Sequence, residues 1–258
     1  EDYRDGFIFG HLTSKLFKWW IIKCYRFGDI IVTPTEYSKN ILEHYKGLED
    51  KKIVAISNGL ELDFFKPDKS YKDSFRKRYG YKKDDKVIVG IGIYSRRKGI
   101  VDFVELAKRL PEYKFIWFGS SPIAAATSDV KKALKESKDL PNIKFPGHVP
   151  QEMIREALGG CDLYLFPTFE ETEGIPIIEA CAMETNTIIR DIPIFNYLTD
   201  GVNVYKAKDV DEFEKKIKMF LNGELKSVSK GARKIAESCD IKTVGKQLKE
   251  VYTEVLKK

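Results

Sequence analysis

The sequence predicts an α/β chain, a parallel sheet with helices on both faces, on three observations. From Asp29 onward, short β-rich apolar runs alternate with amphipathic helical stretches, the rhythm of repeated βα units. Several runs, such as LYLF, are apolar throughout, as strands buried on both faces are. The 258 residues carry 43% hydrophobic and 33% charged side chains, the balance of a globular protein, and no window approaches the ~18 uninterrupted apolar residues of a spanning helix.

Taken in order, the first element is the run GHLTSKLFKWWIIKCYRFG. Lys15, Lys18, Lys23 and Arg26 stand among Leu16, Trp19, Trp20 and Ile22, with no acid between Gly6 and Gly28. Residues 11–27 therefore suit an anionic membrane surface, where indoles settle at headgroup depth and Lys and Arg meet lipid charge. A packing helix of its own domain reads equally well. Strands are expected at 30–33, 53–56, 87–93, 114–118, 143–145, 163–166, 187–189 and 202–205. Helices are expected at 36–46 after a Thr35 cap, 100–110 after Gly99, 152–158 after Pro150, and at 175–183, 210–221, 225–238 and 243–257. The stretch NGLELDFFKPDKS, residues 58–70, holds Gly, Pro and Asp without a clean period, and a domain boundary is placed there. Residues 1–66 then close one domain, 67–240 form a second, and 241–258 are a C-terminal helix that packs back on the first.

Net charge is +6 from 45 basic and 39 acidic residues. The two signs alternate almost everywhere, which excludes a nucleic-acid-binding surface and leaves anionic small molecules or lipid as partners. Cys24, Cys161, Cys181 and Cys239 lack zinc or redox spacing, so free thiols in a reducing cytoplasm are expected. The chain opens on Glu1 without a signal-peptide pattern and reads as a piece whose first part is missing.

The chemistry concentrates in FPTFEETEGIPIIEACAM, residues 166–183. A buried strand runs into an acidic loop with Glu170, Glu171 and Glu173; Gly174 then lets a helix begin at Ile175, with Pro176 in its first turn. Ligands of open α/β sheets sit beyond the strands' carboxyl ends, and a helix start offers free N–H groups suited to phosphate. Glu171 and Glu179, with seven residues between them, can face one cleft and accept hydrogen bonds from sugar and ribose hydroxyls. The plain alternative is solvated acids. Against it, Glu179 lies between Ile178 and Ala180 in an otherwise apolar helix.

A second cluster, VIVGIGIYSRRKGIVDF, crowds Arg96, Arg97 and Lys98 into the turn before a helix. Cations there can neutralise a departing diphosphate. Alone this is a solvated basic turn; at the same sheet edge as the acidic loop it favours phosphate. In NIKFPGHVP a strand end meets Gly147, where the backbone can approach a flat base, and His148, to which the residues themselves assign no chemistry. His11, His44 and His148 are dispersed and no Asp-x-Asp pair ends a strand, so no metal cofactor is expected.

These features resemble the family-4 retaining glycosyltransferases of GT-B architecture. The resemblance rests on TPTEYSKNIL, NGLELDFF, the RKG turn, FPGHVP and the Glu171-to-Glu179 spacing, and covers nearly the whole chain. More narrowly, RRKGIVDFVELAKRLPEYKFIWFG, PTFEETEGIPIIEA and RDIPIFNYLTDGVNVYKAKDVDEF look like bacterial enzymes that glucosylate diacylglycerol from UDP-glucose. The resemblance implies two Rossmann-like domains, an acceptor domain ending within 1–66 and a donor domain over 67–240. It implies Glu171 on the donor sugar and Glu179 on the ribose. Lys98, Arg97 and Arg96 would hold the diphosphate, the backbone of Gly174 and Ile175 phosphate and sugar, and the base would lie by Gly147 and His148. Ile93 stands where many members carry a phosphate-binding arginine; Arg96 or Arg97 would substitute. Retention of configuration, with a nucleotide sugar as substrate and no cofactor, is implied, at a peripheral site on the inner face of the cell membrane. The competing readings are a donor-binding half without activity alone, and a transferase for polysaccharide or glycoprotein acceptors.

Overall fold

In the computed structural model, which describes residues 10–257, the chain forms two units. One runs through Gly59 and resumes at Cys239; the other is Leu60–Ser238.

The first unit holds α1 (Gly10–Phe27), β1 (Ile30–Thr33), α2 (Glu36–Glu43), β2 (Lys52–Ala55) and α10 (Ile241–Val255). β1 and β2 pair in parallel, Ile31 opposite Ile53. Ile31, Leu48 and Ile53 form a small core with Ile22, Leu42 and Tyr45 against it. Thr35 caps α2, its hydroxyl accepting the Ser38 N–H at 3.1 Å, as expected for a β-branched hydroxyl ahead of a helix. Along α1, Leu16, Phe17, Trp19 and Trp20 are exposed, and Lys23 lies 4.3 Å from the Trp19 ring. Among the described residues no helix is long and apolar enough to cross a membrane.

The second unit is a six-stranded parallel sheet. Its elements are α3 (Ser70–Tyr79), β3 (Val87–Ile91), α4 (Ile100–Arg109), β4 (Lys114–Phe118), α5 (Ser128–Glu136), β5 (Ile143–Gly147), α6 (Gln151–Gly160), β6 (Leu163–Phe166), α7 (Ile175–Ala182), β7 (Thr187–Arg190), β8 (Tyr205–Ala207), α8 (Val210–Leu221) and α9 (Ser229–Ser238). The strand order is β5-β4-β3-β6-β7-β8, the doubly wound order in which the chain reverses direction between its first and fourth strands. The α/β expectation, with a Rossmann-like parallel sheet, is met.

One face is covered by α4, α5 and α8, whose Phe103, Val130 and Phe213 join Ile88, Trp117 and Leu165 in a continuous core. On the other, α3 meets α6 at Gly159 and Gly160, where an added Cβ would lie 2.7 Å from Tyr71 or Phe75 side-chain atoms. The core interlocks at β3 for a similar reason. A Cβ on Gly90 would fall 2.4 Å from the Trp117 ring, so the strand can host a tryptophan from its neighbour only with glycine there. Trp117 then donates its indole N–H to the Gly92 carbonyl at 2.8 Å, satisfying its one polar group.

The last strand differs from expectation. It is Tyr205–Ala207, while 201–203 form a turn in which the Val202 and Asn203 N–H groups bond the Thr199 carbonyl at 3.1 Å. Helices α3 and α5 were not expected, and α9 starts at Ser229 where 225 was expected. No disulfide joins Cys24, Cys161, Cys181 or Cys239.

Candidate active site at the strand switch point

β3 and β6 lie side by side at the reversal, Ile88 opposite Leu163, and their carboxyl ends open into the crevice where such sheets bind ligands. From β3 the chain turns through a short 3-10 segment, Arg96–Lys98, opened by Ser95, whose hydroxyl accepts the Arg97 N–H at 3.2 Å. From β6 it runs into residues 167–174 and then α7, which starts on Gly174 in the left-handed region at φ 85°.

These two segments are laced together. The Phe169 N–H donates to the Arg97 carbonyl at 2.8 Å, and the Thr168 hydroxyl reaches the same carbonyl at 3.0 Å. Arg97 returns a bond from its Nη1 to the Glu170 carbonyl at 2.8 Å. The Lys98 ammonium pairs directly with the Glu171 carboxylate. Arg97 stands 3.9 Å from the other Glu171 oxygen. The Glu171 side chain is only 7% exposed and that of Lys98 17%, so the pair is held in a site of reduced dielectric, where each charge acts strongly on what binds beside it.

Glu179 sits one turn into α7, 7% exposed, and accepts a bond from the Gln151 amide at 3.3 Å. Burial holds its carboxyl above the ordinary range of 4.5, and the Gln151 bond offsets this in part. Beneath lies Tyr164, fully buried, its hydroxyl without a hydrogen-bond partner. Burial pushes that phenol well above its usual range, and the charges of Glu179 and Glu171 add to the effect. One buried hydroxyl thus feels both carboxylates.

The raised Glu179 value sets a pH dependence. A carboxyl whose folded pKa lies above its unfolded one holds its proton more tightly when folded. Its contribution is therefore full below the unfolded value of 4.5 and is lost as pH rises toward the folded value. Glu179→Gln, which can keep the Gln151 bond through its carbonyl oxygen, should raise Tm at pH 8 by about 2–4 °C for each kcal/mol of burial penalty removed. The gain should narrow toward pH 5. Thermal melts at the two pH values decide it, an equal shift at both counting against the assignment.

The structure thus joins Lys98, Arg97 and Glu171, with Gly174, Ile175 and Glu179 on the adjoining helix. Arg96 points elsewhere: it is 68% exposed and pairs with Asp129 at 3.3 Å. Gly147 ends β5, the edge strand separated from β3 by β4, and His148 after it is exposed. Three residues that shape the site were not foreseen. Thr168 is a buried hydroxyl 3.3 Å from Glu171, Gln151 partners Glu179, and Arg190 is a 5% exposed guanidinium behind the loop. Of these only Arg190 carried a signal, a charge closing the buried run TIIR.

Comparison with known proteins bears on this arrangement. Residues 71–237 match the family model of the glycosyl transferases group 1. The processive diacylglycerol alpha-glucosyltransferase of Acholeplasma laidlawii is 34% identical over 258 residues, covering 100% of this chain and 77% of that protein. The alpha-galactosylglucosyldiacylglycerol synthase of Streptococcus pneumoniae is 29% identical over 74% of this chain and 53% of its own length. In structure, sucrose-phosphate synthase from Thermosynechococcus elongatus aligns with a TM-score of 0.80 at 17% identity, over 94% of this chain and 62% of that one. Anabaena Alr3699/HepE in complex with UDP and glucose aligns at 0.76 and 19%, over 89% and 64%. At these identities the structural likeness is one of fold.

Proposed function

The chain belongs to the glycosyl transferases of group 1, and from that premise we propose that it serves a hexosyltransferase moving glucose, with retained configuration, from UDP-glucose to diacylglycerol or a similar lipid. The observation that carries the reading is the Lys98–Glu171 pair, a cation from the β3 turn set against a carboxylate from the β6 loop at the switch point. The match to the Acholeplasma diacylglycerol alpha-glucosyltransferase, over all of this chain and 77% of that protein, supports the transferred sugar and the acceptor.

In this reading the donor's diphosphate takes the place of Glu171 as the partner of Lys98 and Arg97, and Glu171 turns its oxygens to the sugar hydroxyls. The bond from the anomeric carbon to the phosphate oxygen breaks while the bond to the acceptor oxygen forms on the same face, and the acceptor proton passes to the departing phosphate. The cations act by stabilising charge that grows on the leaving group. Glu179 is read as the ribose partner, Gly174 and Ile175 as backbone donors, and the strip by Gly147 and His148 as the place of the base. Arg96, turned toward Asp129, is read as a weaker contributor to the diphosphate. Lys98 and Arg97 supply the positive charge in this scheme, so no step passes through a metal.

The exposed face of α1 supports attachment to anionic lipid on the inner membrane surface. Trp19 and Trp20 are more than half exposed beside Lys15, Lys18, Lys23 and Arg26, a composition that binds by indole insertion and by charge.

The test is a screen of UDP- and GDP-sugars with the full-length enzyme on vesicles of diacylglycerol in phosphatidylglycerol or in phosphatidylcholine. UDP-glucose should be consumed, faster on the anionic vesicles, and Glu171→Gln should lower kcat by roughly 100-fold or more with the fold intact. Wild-type turnover by Glu171→Gln would sink the site. Preference for another nucleotide sugar would sink the donor, and equal rates on both vesicles the α1 surface.

A further inference from the structure

Against the segment that leads into the acidic loop lies a buried ion pair to which the scheme above gives no part. Arg190 ends β7 and is 5% exposed. Its three donor edges are all used. Nε donates to the Pro167 carbonyl at 3.0 Å, Nη1 to the Lys208 carbonyl at 2.7 Å, and Nη2 to the Asp102 carboxylate. Its flat face lies 3.9 Å from the centre of the Phe169 ring. Pro167 and Phe169 flank Thr168, which bonds Glu171. Asp102 sits in the first turn of α4, directly after Lys98 and Gly99. One guanidinium is therefore tied to both segments that build the site, the loop that presents Glu171 and the turn-helix that presents Lys98.

We propose that Arg190, oriented by Asp102, is a positioning residue for transfer. It clamps the 167–169 segment against the start of α4 and so fixes where Glu171 stands relative to Lys98. This deepens, and rests on, the reading of Glu171 and Lys98 as the donor site. Three physical points support a geometric role beyond plain stability. A buried ion pair is a poor device for stability alone, since an apolar pair of similar volume often does as well or better. The planar fork reaches a carboxylate and two carbonyls in fixed directions while stacking on a ring, which a lysine cannot do. A displacement of about 1 Å at a catalytic group can cost roughly 100-fold in rate.

Two variants of the full-length enzyme separate positioning from stability. Arg190→Met with Asp102→Met removes both buried charges and leaves an apolar pair; Arg190→Lys keeps a cation for Asp102 but loses the fork and the stack. Each is compared with Glu171→Gln for Tm, for UDP affinity by calorimetry, and for kcat and KM with UDP-glucose. The expected result is a kcat lowered by roughly 10- to 100-fold, with UDP binding within about threefold of wild type, because the diphosphate cations remain in place. In the double variant Tm should fall by no more than several degrees, for the two carbonyls left without a donor, while kcat, read well below that Tm, stays low. If Glu171→Gln is inactive but every folded Arg190 variant keeps kcat within threefold of wild type, the positioning role is overturned and the donor site stands. If Glu171→Gln itself turns over normally, the donor-site reading falls and this proposal with it.

Discussion

Gly99→Ala should reduce turnover by roughly 100-fold or more, by moving two backbone segments apart without removing a polar atom of the site. Gly99 lies between the Arg96–Lys98 turn and α4, in the left-handed region at φ 77°. A Cβ there would fall 2.2 Å from the Pro167 carbonyl oxygen and 2.6 Å from its carbon. Both obstacles are backbone, so no side chain can rotate away, and either the turn or the loop must shift. Pro167 is also the residue whose carbonyl Arg190 holds, and the loop beyond it leads to Glu171. The left-handed conformation costs an L-residue about 1–2 kcal/mol in addition. Gly80→Ala isolates that second effect. Gly80 is left-handed too, at φ 68°, with nothing within 4 Å of an added Cβ. It should lower Tm by a few degrees and leave kcat unchanged. Steady-state kinetics on the two variants, each with its melting curve, check the difference; equal losses of kcat would mean that the Gly99–Pro167 contact has no part in placing the site.

The same contact shows which parts of the site a sequence can reveal. The acidic loop was legible because its signals are local: an apolar strand, carboxylates, then Gly174 and Pro176 at a helix start. Glu179 was legible because a carboxylate in an apolar helix violates the pattern around it. The lacing between Arg97, Thr168 and Phe169 was not, because it joins residues about 70 positions apart through backbone atoms that carry no sequence identity. Arg96 stands apart from its neighbours for a related reason. Three consecutive cations look equivalent in sequence, but in a 3-10 turn, with about three residues per turn, successive side chains point in different directions. Arg96 turns to Asp129 while Lys98 turns to Glu171. At the level of elements, α3 and α5 were missed because each buries only two residues, Phe75 and Arg76 in one and Val130 and Ala133 in the other. So little apolar periodicity leaves the helix to tertiary contacts. The run VNVY has the β-rich composition of a strand, yet Gly201 and Asn203 spend it on a turn that delays β8 to Tyr205.

Arg76 explains one of those missed helices and carries a large expected effect on stability. It is 5% exposed and donates to the Lys82 and Asp85 carbonyls and, at 2.8 Å, to Asp162. The same Asp162 oxygen accepts the N–H of Val87, the first residue of β3, also at 2.8 Å. Asp162→Ala leaves a buried guanidinium without its counter-charge and a backbone N–H without its acceptor. Breaking one partner of such a pair costs about 3–5 kcal/mol, so Tm should fall by roughly 6–20 °C. The exposed cluster of Arg109 with Glu105, Asp211 and Glu214 is the comparison: Arg109→Ala should barely move the melting curve, because solvated ion pairs are screened and flexible. Asp162 stands at the entry to β6 and Val87 at the entry to β3, the opposite end of the two strands whose exits carry Glu171 and Lys98. At 20 °C, well below its lowered Tm, Asp162→Ala should therefore keep kcat per folded molecule within about threefold of wild type, while Gly99→Ala, at the exit of β3, loses it. A parallel loss of kcat in Asp162→Ala at that temperature would show that the two ends of the sheet are coupled and that the site is not set locally by its turn and loop.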